Sequence, residues 1–94
     1  MASNFGISVY RFNKNLQLKL SGDFDAHSAL QLLSLMRNCI RENGKIFIHT
    51  DSIINIDPSG LDIFRFNMGY LARHPMRFVF TGENAPSLIE SWPD

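Results

Sequence analysis

The order and periodicity of the apolar residues predict a single α/β domain: a mixed four-stranded sheet with helices packed on one face. Three observations carry this. Leu16, Leu18 and Leu20 alternate with Gln17, Lys19 and Ser21, the pattern of a strand with one covered face and one that is at least partly wet. Two longer stretches, beginning near Asp25 and Ser59, repeat apolar residues at helical spacing. β-rich segments precede, separate and follow them, so the order reads β-β-α-β-α-β-α, and its later strands favour right-handed parallel crossovers.

The first strand alternates Phe5, Ile7 and Val9 with Gly6, Ser8 and Tyr10, and Asn13-Lys14-Asn15 turns it into the second as a hairpin. Asp25 can cap a helix over 26–43, stopped by Gly44. Ala29, Leu33, Met36 and Ile40 lie on its core face, widened by Leu30. Leu32, Leu35 and Cys39 form a neighbouring stripe that reads as part of a broad buried face. Lys45 to Thr50 is a third strand with Ile46 and Ile48 on one side, and a loop from Asp51 to Pro58 leads to a second helix bearing Leu61, Phe64, Met68 and Leu71. Proline disfavours helix at the residue before it, so His74-Pro75 ends that helix. Arg77 to Thr81 is a fourth strand, and Asn84-Ala85-Pro86 opens a last short helix reaching Ser91.

The 94 residues fit one domain over 1–94, and 45% hydrophobic residues supply enough apolar surface for a core. Nine Lys and Arg balance nine Asp and Glu, which provides no net field to attract nucleic acid or an anionic membrane. Cys39 is the single cysteine, excluding an intrachain disulfide and suiting a reducing, cytoplasmic compartment. No window approaches the ~20 apolar residues of a membrane span, so no direct membrane insertion is expected.

The segment Ile53-Ile54-Asn55-Ile56-Asp57-Pro58-Ser59-Gly60-Leu61 resembles the signature of STAS domains, in which an apolar strand and loop run into Asp-x-Ser-Gly-Leu at a helix start. Leu20-Ser21-Gly22-Asp23-Phe24-Asp25 resembles that family's turn before its first helix. The best-known members are bacterial anti-sigma-factor antagonists. The resemblance implies a STAS-like sheet and a non-enzymatic regulatory module binding a protein partner, an anti-sigma factor or a Ser/Thr kinase-like switch protein. It also implies phosphorylation at Ser59 in a switch loop of Asp25, Asp57, Pro58, Gly60, Leu61 and Asp62. An alternative implication is a cytosolic accessory subunit of a lipid-transport complex in the membrane, and a third is a nucleotide or small-ligand sensor.

The residues have their own reading. Ser59 stands three positions before Asp62, the spacing of a capping box, and so is expected to be the N-cap of the second helix. It is either a structural cap or a phosphoacceptor. A phosphate there meets a positive helix end but also the acidic neighbours Asp57 and Asp62, so it would disrupt docking to an acidic partner more readily than rearrange the core. Ile63, Phe66 and Tyr70 form a second stripe on this helix, serving either as a docking face or as packing under the other helices; Trp92 is a lid or a tail. His27, His49 and His74 lack metal-ligand spacing, and Ser59 lacks the Gly-x-Ser-x-Gly elbow of a hydrolase. No metal, cofactor or catalytic residue is assigned.

Overall fold

The computed structural model of the protein describes residues 4–39, 44–69 and 78–90. Strand β1 (Gly6–Phe12) runs antiparallel to β2 (Asn15–Phe24) across the two-residue turn Asn13-Lys14, where Asn13 takes a positive φ of 58°. Helix α1 (Ala26–Cys39) crosses to β3 (Ile46–Ile56), and helix α2 (Pro58–Phe66) precedes β4 (Phe78–Thr81) and the short α3 (Ala85–Glu90). One sheet holds all four strands in the order β1-β2-β3-β4, with the β2–β3 and β3–β4 pairs parallel. Among the described residues no helix is long and apolar enough to cross a membrane.

Alternation places the core. Leu16, Leu18, Leu20 and Phe24 of β2 share their buried face with Ile46 and Ile48 of β3 and Phe78 of β4. Ala29, Leu32, Leu33 and Met36 of α1 close over them, together with Phe64, Met68 and Leu88. The opposite face carries Gln17, Lys19, Phe47 and His49, half-buried or exposed. The stripe containing Leu32 and Cys39 is therefore core, whereas Leu30 is 48% exposed and does not widen the buried face. Leu30 follows Ala29 on the helix and lines a groove with Phe5 and Ile7 at the β1 side of the sheet instead of entering the core.

The third strand corrects the sequence reading most. It does not stop at Thr50 and enter a loop; it continues to Ile56 beside β2. Register shifts between Lys19 and Ser21 and between Gly22 and Asp23 insert extra β3 residues, so the burial pattern slips from Ile46, Ile48 and Thr50 to Ile53. A bulge conceals a strand from any test of strict alternation. The bulged carbonyls are not orphaned: Asn84 Nδ2 donates to the carbonyl oxygens of Thr50 and Ile53, and Thr50 Oγ1 donates to the Thr81 carbonyl.

Helix α2 closes at Phe66 with Asn67 as its C-cap, although Met68 beyond it is still fully buried. Four phenylalanines form an edge-to-face series through the core: Phe5 to Phe24 at 6.1 Å, Phe24 to Phe64 at 6.1 Å, and Phe64 to Phe80 at 6.2 Å. Such contacts add about 0.5–1.5 kcal/mol each beyond area burial. The series ties β2, α2 and β4 together beneath the turns described next. Ile40, Tyr70, Leu71, His74, Pro75, Arg77, Ser91 and Trp92 lie outside the described residues.

Candidate functional site

Parallel strands β2 and β3 end side by side, and each runs straight into a helix. This brings the β2–α1 turn (Asp23, Phe24, Asp25) against the β3–α2 turn (Asn55, Ile56, Asp57), the two lining a cleft of about 340 Å³. Crevices at the carboxyl ends of parallel strands are where open α/β sheets characteristically place their ligands. Two hydrogen bonds join the turns: Asp57 N–H donates to the Phe24 carbonyl at 2.8 Å, and Asn55 Nδ2 donates to Asp23 Oδ1 at 3.0 Å.

Gly60 sets how closely they approach. A Cβ at this position would lie 2.8–2.9 Å from the carbonyl oxygens of Phe24 and Asp25 and the carbonyl carbon of Asp25. Only a residue without a side chain lets the first turn of α2 rest on the β2–α1 backbone. The Asp25 turn and the Ser59 turn, separate in the sequence, thereby become one surface.

Each turn has its own cap. Asp25 accepts from Ser28 N–H at 2.9 Å as the N-cap of α1, and the buried Ser28 hydroxyl lies 2.8 Å from the Asp23 carbonyl oxygen and 2.9 Å from Asp25 Oδ1. Hydrogen bonds from the Ser28 backbone and side chain hold the Asp25 carboxyl below the usual aspartate range, with a smaller contribution from His27. At α2 the cap is Asp57, whose Oδ1 accepts from Ser59 N–H at 3.0 Å. Ser59 is therefore not the N-cap, and the capping-box reading with Asp62 is overturned. The reason is Pro58: it occupies the first helical position, where its fixed φ suits the helix and its missing N–H goes unneeded, which moves the cap back to Asp57.

The remaining site residues divide. Ser59, Pro58 and Asp62 are exposed; Leu61 is half-buried, and Gly60 is buried against the neighbouring turn. In the proposed docking stripe Ile63 is half-buried and packs on the core, so it is not a free anchor. Phe66 is 80% exposed, and Tyr70 lies outside the described residues. His49 is remote from Ser59, on the open sheet face. There Gln17 Oε1 lies 2.5 Å from Nε2, Thr81 Oγ1 lies 2.6 Å from Nδ1, and Phe47 stacks on the ring. No group of three or more His, Cys, Asp or Glu among the described residues is placed to hold a metal ion.

Asp23, Asn55 and Ser28 take part in the site without having been singled out in the sequence. Ser28 had a legible signal, three positions after a capping aspartate; the Asp23–Asn55 bond joins residues 32 apart and had none. No protein-family model matches the chain, and neither does any curated protein.

Proposed function

We propose that the chain is a cytoplasmic, non-enzymatic regulatory module of the STAS type. It docks a protein partner, an anti-sigma factor or a Ser/Thr kinase-like switch protein, through the Ser59 turn and the Phe66 side of α2. Phosphorylation of Ser59 is the off-switch. The observation that carries this reading is the state of Ser59: exposed, supplying its backbone N–H rather than its hydroxyl to the cap, and held by Gly60 beside the turn of Asp23 and Asp25. A phosphoryl group adds roughly −1.5 to −2 charges at neutral pH. Placed among Asp57, Asp62 and the facing turn, that charge repels an acidic partner surface while leaving the cap's hydrogen bond in place.

The test is the affinity of folded Ser59→Asp and Ser59→Ala for a partner captured by pull-down, with intact-mass analysis after incubation with that partner and ATP. The expected result is one phosphate on the native chain, none on Ser59→Ala, and loss of the partner by Ser59→Asp but not by Ser59→Ala. Full binding by Ser59→Asp together with an unmodified Ser59 sinks the switch.

A further inference from the structure

Away from this site, a groove of about 630 Å³ runs between the edge of β1 and α1. Phe5 and Ile7 form its strand side, Leu30 and Leu35 its apolar helix side, and His27 and Gln31 its polar rim. Leu30 is the residue that the hydrophobic pattern places in the core and the fold leaves half-exposed.

Among the described residues no strand pairs with β1 on the side away from β2. Opposed residues in an antiparallel pair alternate between exchanging both main-chain hydrogen bonds and exchanging neither. Phe12 and Asn15 flank the two-residue turn and so form a bonded pair; counting back in twos assigns Tyr10, Ser8 and Gly6 to β2 as well. The Gly6 carbonyl agrees, accepting from Ser21 Oγ on β2. The N–H and C=O groups of Ile7 and Val9 therefore point outward. Their side chains face the helix side of the sheet, opposite Leu20 and Leu18, and Val9 is 49% exposed. The strand holds no proline and no bulge against β2, and its one charged side chain, Arg11, lies at the hairpin end beyond Val9.

We infer that this groove is a second binding site, which takes an extended peptide segment of a partner protein as an added strand on β1. The outward peptide groups of Ile7 and Val9 call for another backbone, which a small molecule or a helix does not offer. The alternation of a strand then sets the segment's chemistry: apolar side chains at every second position enter the groove against Leu30 and Leu35, and polar ones between them face water. A second copy joining antiparallel through its own β1 would bring its own α1 to the same side of the joined sheet, and it is the competing occupant that the experiment separates from a peptide.

The experiment pans two peptide libraries of about eight residues on the immobilised full chain. In one, Val, Ile, Leu or Phe alternates with Ser, Thr, Lys or Glu; in the other, the same residues follow helical spacing. The expected result is enrichment of the alternating library alone, with selected peptides slowing amide exchange at Ile7 and Val9. Val9→Pro should weaken the selected peptides by at least about tenfold, since it deletes an outward N–H at an edge position where proline is tolerated. Leu30→Asp, an exposed substitution, should do the same from the helix side and covers the case in which Val9→Pro fails to fold. Equal recovery of both libraries, no enrichment, or binding unchanged in both folded variants overturns the proposal. So does a peptide-free dimer abolished by Leu30→Asp, which would put a second copy in the groove.

Discussion

The two helix starts of the site are built from the same residue types and hold their serines in opposite states. At α1, Asp25 is followed three positions later by Ser28, which is fully buried and hydrogen-bonded through both its backbone and its hydroxyl. At α2, Asp57 is followed two positions later by Ser59, which gives the cap its N–H and leaves its side chain exposed. Pro58 accounts for the shift. By taking the first helical position it places the serine at the second, one step short of the third-position geometry that turns Ser28 back onto its cap. The difference teaches that whether a serine's hydroxyl turns back onto a helix start or stays exposed is set by which helical position it takes after the capping aspartate.

The largest effect expected bears on what holds the two starts together. Phe64 lies edge-on between Phe24 and Phe80 with no exposed surface, so Phe64→Ala should destabilise the fold by about 3–5 kcal/mol in denaturant unfolding. Phe66→Ala, on the same helix but exposed, should change stability by less than about 0.5 kcal/mol. Equal losses would place Phe66 in the core and remove it from the proposed docking face.

Next in size is Gly60→Ala, whose Cβ would enter the backbone of the Asp25 turn. It should destabilise by about 1–3 kcal/mol and separate the turns, visible as chemical-shift changes at Phe24 and Asp25. A neutral Gly60→Ala would mean that the two starts do not rest on each other, and the single-surface description would fail.

The sharpest probe of the comparison is the serine pair. Ser28→Ala strips a buried hydroxyl from two acceptors and should cost about 1–3 kcal/mol, while Ser59→Ala should stay within about 0.5 kcal/mol. Ser59→Ala costing as much as Ser28→Ala would restore Ser59 as a structural cap. Asp57→Ala is the matching control and should cost about 0.5–2 kcal/mol, since the cap belongs to that residue.

The smallest effect is with pH. Because the Asp25 carboxyl is held below its ordinary value of about 3.9, its contribution is fully present above that pH and is lost as the pH falls through the lowered folded value. Asp25→Asn keeps an acceptor for Ser28 but has no proton to gain, so its stability should fall less steeply below about pH 4 than that of the native chain. Parallel acid unfolding curves would show that Ser28 does not hold the Asp25 carboxylate.

Much of this was legible in the sequence because the physics is local. Strict alternation in Leu16 to Leu20, helical spacing from Ala29 to Met36, an aspartate before a helix and a turn at Asn13-Lys14 each act over a few residues, and together they specified the element order and the mixed sheet. The second half of β3 was illegible because its bulges displace the alternation, and what stabilises it, Asn84 on the Thr50 and Ile53 carbonyls, arrives from residues 31–34 positions away. Leu30 shows the same limit from the other side. Its apolar character is local, but whether it is covered depends on how far the sheet extends beneath α1. The cap at α2 lay between these cases: Pro58 favours the first helical position on local grounds, yet Ser59 had the capping-box spacing, and only the folded backbone chose between them. The sequence by itself determined the order of strands and helices and that Asp25, Asp57, Ser59 and Gly60 stand at helix starts, though not how far β3 runs. Tertiary structure alone decided that Gly60 presses the two starts into one surface, that Ser28 is sealed while Ser59 is open, and that β1 is the edge strand among the described residues, beside an apolar groove, because each depends on backbones far apart in the chain meeting at distances no local pattern encodes.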